Sequence, residues 1–373
     1  MIPPPSLDPG PRPVSSLQNH PPISAEAPDP RDAPLLSRCG IGDESLHAEA
    51  AQLARKSLAG ESLPDSHSLS LELRMLGDAH VWPKAWSISP VDRLVALARL
   101  DSWLQKTPKI GVRRCGITTM QDASSRELLS LVFVDALADL DEPIPMQVHP
   151  GSWVTFKATL LVPGTAATLV ILGPRGLPRT VPTSFDQSSR KVVARFSADS
   201  SGLWVGQLLA TVQGGPRPVL EFVVFSGQDP NPELLHGPAP GELDSAHDDS
   251  YAVFQMLNAA RVSEGLIPLQ RDSRLDLLAR QHSLAMIKAG AISHDAGDDS
   301  PELRVSAAGL QLYEVGENVA HAQSARSAQR ALWYSPSHRG NLLHSRYNSV
   351  GVAAVRDDKN GVWVTELFSR QLP

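Results

Sequence analysis

Three short phrases in the last third of the chain decide its reading: Ile292-Ser293-His294-Asp295, Val315-Gly316-Glu317-Asn318-Val319-Ala320 and Ser335-Pro336-Ser337-His338-Arg339-Gly340-Asn341-Leu342-Leu343. Each sets a His or a carboxylate beside a turn or a helix start. Ser335 can cap a short helix with Pro336 at its first position, which puts His338 in the first turn. Glu317 stands between Gly316 and Asn318, where glycine lets the backbone turn sharply and present the carboxylate. His294 follows a helical stretch that Gly290 ends, which predicts a loop position for it.

Working outward, periodicity predicts three helices and a strand pair. Tyr251, Phe254, Leu257 and Arg261 recur at helical spacing behind the acids Asp248 and Asp249. Asp272 can cap a second helix, in which Leu275, Leu278, Ala279, His282 and Met286 form one stripe. A third runs from Ser324 through Ala328 and Leu332 to Trp333. Residues 350–355 and 362–368 read as strands of a hairpin turned at Asn360-Gly361. Helices mixed with antiparallel strands predict an α+β layered domain.

The order and spacing of the three phrases resemble the CAP superfamily (cysteine-rich secretory, antigen 5 and pathogenesis-related 1), in the short cysteine-free form seen in bacteria, over about 246–370. The resemblance implies a three-layer αβα sandwich in which His294, Glu317 and His338 converge on one cleft. It implies that His294 and His338 hold a divalent metal, zinc or calcium, in ready exchange, with Glu317 as hydrogen-bond anchor, ligand or base. Asn318, Ser337, Arg339, Asn341 and Glu366 fill out the cleft set, Arg339 and Asn341 chiefly by holding their loop. One departure stands out. Where many eukaryotic members carry a final His-Tyr-Thr-Gln phrase, this chain has Trp363-Val364-Thr365-Glu366, so that His is absent and its role passes to His338. Glu366 and Asp295 are the candidates for a second acid. Two His ligands with water make a weak site, since zinc normally takes at least three protein ligands. His282, on an apolar stripe, reads as a core or edge histidine, and His321 and His344 as surface residues.

The remainder is organised around two Pro-rich breaks. Residues 1–34 hold eleven prolines and no lysine, a composition that reads as a disordered leader. Residues 228–249 read as a linker. Between them, 35–145 reads as mixed α/β, with helices at 44–59 and 89–103 and a strand at 132–137. It carries an echo of the last third: Ser70-Leu71-Glu72-Leu73-Arg74 against Ser300-Pro301-Glu302-Leu303-Arg304, and Ile110-Gly111-Val112 against Val350-Gly351-Val352. It is either a degenerate CAP-like half or an unrelated helical domain. Residues 146–227 show short β runs between Gly and Pro turns, which predict an antiparallel immunoglobulin-like sandwich or another small β-barrel. The whole is multidomain, with 250–373 as the CAP domain.

The 373-residue chain is 42% hydrophobic and 20% charged with a formal charge of −6. No basic cluster is long enough to track a phosphate backbone, which argues against nucleic acid as a partner. The apolar runs at 128–138 and 166–172 are far shorter than the roughly 20 residues of a membrane-spanning helix. Cys39 and Cys115 permit one disulfide or two buried thiols. No charged n-region or apolar h-region opens the sequence, whereas the resemblance implies a secreted or envelope-associated protein. Three functions remain: a module binding a small ligand, lipid or peptide; a metal-assisted hydrolase with Glu317 as base; or a scaffold whose trio is structural.

Overall fold

Aspartates start the long helices at both ends of the molecule. In a computed structural model, which describes residues 29–371 apart from 62–63, 65, 90–91, 108, 213–214, 244–247 and 312, the side chains of Asp43, Asp92, Asp248 and Asp272 each accept backbone N–H bonds at a helix start. Such caps satisfy donors that the first turn leaves unpaired. Of the leader read over 1–34, residues 1–28 lie outside the described residues, while 29–34 are structured, with Asp32 buried and a helix beginning at Ala33.

The first part runs α1 (Ala33–Cys39), β1 (Ile41–Gly42), α2 (Glu44–Leu58), α3 (Ser66–Met75), β2 (Lys84–Ile88), α4 (Arg93–Gln105), β3 (Val112–Gln121) and β4 (Glu127–Ala136). Its sheet has the order β1-β3-β4-β2, with β1 parallel to β3. Cys39 and Cys115 form a disulfide joining α1 to β3. The helix expected over 89–103 begins only at Arg93, because Ile88 is still in β2 and Asp92 supplies the cap.

The second part is all strand: β5 (Ala138–Leu140), β6 (Gln147–Val148), β7 (Ser152–Leu160), β8 (Ala166–Leu172), β9 (Arg179–Val181), β10 (Thr183–Asp186), β11 (Lys191–Ala198), β12 (Gly202–Val212) and β13 (Gly215–Ser226). Two sheets, β10-β11-β7-β5 and β6-β13-β12-β8-β9, share one core. Alternation decides which side faces in: Val154, Phe156, Ala158 and Leu160 of β7 are buried, with Phe156 stacked on Phe222. The pairing is antiparallel except that β6 lies parallel to β13, a departure from the expected pattern.

The third part runs α5 (Glu233–His236), α6 (Asp249–Ser263), β14 (Gln270–Arg271), α7 (Ser273–Ala289), α8 (Pro301–Ala307), β15 (Glu314–Ala322), α9 (Ala325–Tyr334), α10 (Pro336–Leu342), β16 (Ser349–Arg356) and β17 (Val362–Arg370). The sheet order is β14-β16-β17-β15. Val350, Val352, Val364 and Phe368 pack under α6 and α9, while Ala353 and Leu367 meet Leu275 and Ala279 of α7 on the other face. This is a helix–sheet–helix layering. Tyr251 leaves the predicted stripe for solvent; α6 instead buries Ala252, Val253, Met256, Leu257, Ala260 and Arg261. The stretch read as a linker is packed down where it is described: Leu235 and Ala239 are buried and Glu242 pairs with Arg330.

The sheets of the first and third parts have the same connectivity. Gly42 pairs with Cys115 as Arg271 pairs with Val350, and a Cβ on Gly116 or Gly351 would strike the backbone of α2 at Leu46 or of α7 at Leu275. The equivalent of Val350-Gly351-Val352 is therefore Cys115-Gly116-Ile117, five residues beyond the expected register. The third part carries an extra helix, α10, between α9 and its closing hairpin, where the first part passes directly from α4 to β3. Among the described residues, no helix is long and apolar enough to cross a membrane.

Candidate functional site

β15 is an edge strand, so consecutive residues on it reach opposite faces of the sheet. Glu317 and Asn318 exploit this. The Gly316-Glu317-Asn318 phrase is strand rather than the expected sharp turn. Gly316 is required for another reason: a Cβ there would lie 2.2 Å from the Tyr347 hydroxyl.

On the α7 face, the Glu317 side chain is 1% exposed and both its oxygens are engaged. Oε1 lies 2.9 Å from His294 Nδ1, and Oε2 accepts from Arg304 Nη2 at 2.6 Å. His282 Nε2 approaches Oε1 at 3.6 Å while donating to the Ser293 carbonyl at 2.8 Å, and its Nδ1 meets Asp298 at 2.9 Å. His282 is buried, as its place on the stripe predicts, yet it belongs to this network. Helix α8 delivers Arg304 to it, with Ser300 as cap and Pro301 in the first turn.

On the other face, Asn318 Nδ2 donates to Glu366 Oε2 at 2.9 Å and to the His338 carbonyl at 3.1 Å. Asn341 donates to the Asn318 side chain and to the Glu317 carbonyl, tying α10 to β15. Half-buried His338 sits in the first turn of α10, with Nδ1 2.8 Å from Ser335 Oγ. Burial, then the neighbouring His294, push its pKa down to about 3, so it is neutral at physiological pH. His294 thus approaches from one side of β15 and His338 from the other.

The remaining expected residues separate. Ser337 enters through its backbone N–H, bonded to Gln207 of β12. Arg339 turns away, pairing with Glu264 at 3.0 Å and stacking on Trp333. Asp295 folds into its own loop, accepting from the Gly297 N–H. His321 stacks on Trp363, and His344 lies tilted against Tyr347.

Glu366 is fully buried, and its Oε1 has no hydrogen-bond partner among the described residues. Burial pushes its pKa up to about 8 against the Asn318 hydrogen bond. The folded protein therefore keeps this proton while the unfolded chain releases it near 4.5. The contribution is full below about pH 4.5 and declines to about pH 8, at roughly 1.4 kcal/mol per unit. Glu366→Gln should remove this slope from urea-denaturation midpoints measured across pH 4.5–8. The wild-type minus variant difference isolates it from Glu49, which burial also raises to about 8. An unchanged slope would show that Glu366 ionises normally.

The donor set does not suit a resident zinc ion. With Glu317 held by Arg304 and His294, two imidazoles remain where zinc takes three or four protein ligands. Among the described residues, no group of three or more His, Cys, Asp or Glu side chains is placed to hold an ion.

Comparison with known proteins bears on the same segment. Residues 254–368 match the family model of the cysteine-rich secretory protein family, CAP. Over 120 residues the chain is 28% identical to the uncharacterized protein YkwD of Bacillus subtilis (strain 168), covering 32% of this chain and 46% of that protein. The chain thus spans about half the length of this curated relative. Similar solved structures include an outer surface protein from Borrelia burgdorferi, at 18% identity and a TM-score of 0.32, covering 36% of this chain and 99% of that one. An extracellular protein containing a SCP domain from Bacillus anthracis str. Ames shows 16% identity and a TM-score of 0.30, covering 63% and 86%. On the family match, together with the phrases that carry His294, Glu317 and His338, residues 254–368 are a CAP domain.

Proposed function

We propose that this is an exported CAP protein whose site around His294, Glu317 and His338 binds a ligand rather than turning one over. One observation carries the reading: the Glu317 carboxylate is buried with both oxygens engaged. A general base must reach the proton it abstracts, directly or through one water, and Glu317 instead orients His294. The groups left to meet a ligand are the imidazoles, with His294 about one-third exposed at its side chain. Neither Nε2 has a hydrogen bond among the described residues. The ligand class that fits is a small molecule or peptide bearing amide, carboxyl or hydroxyl groups.

The Cys39–Cys115 disulfide supports export, because such bonds persist in oxidising compartments. The relative from B. anthracis is described as extracellular. Within the multidomain chain, 35–145 is read as a degenerate CAP-like half. On the shared connectivity Ala85, Trp86 and Leu131 stand where Glu317, Asn318 and Glu366 stand, so its site is filled with apolar side chains. The paired sheets of 146–227 are read as an immunoglobulin-like module.

The test is titration of the full chain with a library of short acetylated peptide amides, followed by the imidazole nitrogen signals of His294 and His338. Some peptides should shift both signals, and the shifts should vanish in His294→Ala. A library that moves neither signal sinks the reading. Hydrolysis of the same peptides, lost in Glu317→Gln, would replace it with the hydrolase.

A further inference from the structure

The polar contacts of His338 continue out of the CAP domain. Gln207 of β12 lies opposite Glu221 of β13 in the sheet register, and both side chains are buried. Gln207 Nε2 donates to Glu221 Oε2 at 3.3 Å and to Ser335 Oγ at 3.1 Å. Its Oε1 accepts the Ser337 backbone N–H at 3.1 Å. Glu221 is held in turn by buried Arg74 at 2.9 Å. Arg74 stands in the Ser70–Arg74 phrase where Arg304 stands in its counterpart. With Ala85 at the Glu317 position, it pairs across to β13.

This chain has a direction. A backbone N–H can only donate, so the Gln207 oxygen faces Ser337 and its NH2 faces Glu221 and Ser335. Ser335 Oγ therefore accepts from Gln207 and keeps one proton to give. Among the described residues its one remaining partner is His338 Nδ1, 2.8 Å away. The reverse arrangement, with Nδ1–H donating, would leave the Ser335 proton with no partner among the described residues, which disfavours it. Helix α10 agrees: Ser335 is its N-cap residue, yet its side chain makes no capping bond to the helix. The hydroxyl serves the histidine instead.

We infer that Gln207 is a positioning residue for the CAP site: acting through Ser335, it fixes His338 as the Nε2–H tautomer, so that His338 presents a donor beside an acceptor from His294. His294 is set the opposite way. Its Nδ1–H donates a hydrogen bond to Glu317, held as a carboxylate by Arg304, which leaves Nε2 as the acceptor. One donor and one acceptor on neighbouring imidazoles match a group that carries both, such as a peptide amide, a carboxylic acid or a hydroxyl. The same tautomer closes His338 Nε2 to a metal ion, since only an unprotonated nitrogen coordinates. The inference rests on the binding reading of the site and specifies its ligand chemistry. It also makes the β-rich part a component of the site.

The test needs no ligand, so it fails separately from the binding reading. Long-range proton–nitrogen correlation spectra of the full chain, labelled in its histidines and assigned with His338→Gln, read each tautomer directly. The wild type should show the Nε2–H pattern at His338 and the Nδ1–H pattern at His294. In Gln207→Glu, the new carboxylate accepts a hydrogen bond from the Ser335 hydroxyl, Ser335 must accept from Nδ1–H, and the His338 Nε2–H pattern should be lost while His294 is unchanged. An Nδ1–H pattern at His338 in the wild type, or an Nε2–H pattern that survives in folded Gln207→Glu, overturns the inference. Should that variant not fold, the wild-type pattern decides alone.

Discussion

Glu317→Ala should destabilise the protein by about 3–5 kcal/mol, the cost of removing one partner from a buried ion pair. The pair is Glu317 with Arg304, whose side chains are 1% and 7% exposed. Removing the carboxylate leaves the guanidinium only the more distant Asp298, 3.8 Å from Nη1, and Arg304 Nε and Nη1 already lack hydrogen bonds among the described residues. It also frees His294 and takes an oxygen from the vicinity of His282. Two controls separate charge from volume. Glu317→Gln keeps the shape and should lose most of the same stability. Arg304→Met combined with Glu317→Gln should recover part of it, since the stranded charge is gone. Urea denaturation of the full chain gives all three values. A Glu317→Ala variant as stable as wild type would mean that the carboxylate faces solvent and is free for chemistry.

The second large effect lies far from that site. Cys39→Ala with Cys115→Ala should cost about 4–5 kcal/mol on the chain-entropy account, because the bond closes a loop with a sequence separation of 76 residues. Both sulfurs lie in the apolar cluster with Leu35, Leu100, Ile117 and Phe133, so alanine also leaves a small void there. Reduction of the wild type by dithiothreitol should lower its urea midpoint toward that of the variant. If neither change moves the midpoint, the first part of the molecule does not depend on the bond.

The outer frame of the CAP domain was legible for physical reasons. Asp272 as cap and Gly290 at φ 64° bound α7 as the rules of helix ends require. Asn360, at φ 65°, takes the strained turn position that its pairing with Gly361 signals. His294, Glu317 and His338 were legible as a set because their phrases occur together in one order. The network joining them was not. Arg304 occupies a short helix with nothing local to mark it off from a surface arginine, and it meets Glu317 only through the fold. His282 sits on a stripe whose spacing speaks for burial, and burial is silent about Ser293 and Asp298. Gly316 misled: glycine beside a carboxylate suggests a turn, whereas here it makes room for Tyr347. The repeat register slipped because Gly111 and Gly116 both stand close to a neighbouring backbone, and only strand pairing tells them apart. Gln207 carried no signal at all, since its partners Ser335 and Ser337 are 128 and 130 residues away.

On the proposed function, the histidines of the CAP site face a ligand as hydrogen-bonding groups rather than as metal donors. Calorimetric zinc titration of the full chain, wild type beside His294→Ala/His338→Ala, tests it most directly, with thermal melts alongside. A metal that binds only the folded state at about 100 times its Kd would add about 2.7 kcal/mol. No one-to-one binding that the double variant abolishes is expected, and zinc should leave the wild-type melts in place. Stoichiometric binding in the wild type, lost in a folded double variant and matched by a zinc-dependent rise in Tm, would contradict it and make the site a metal centre.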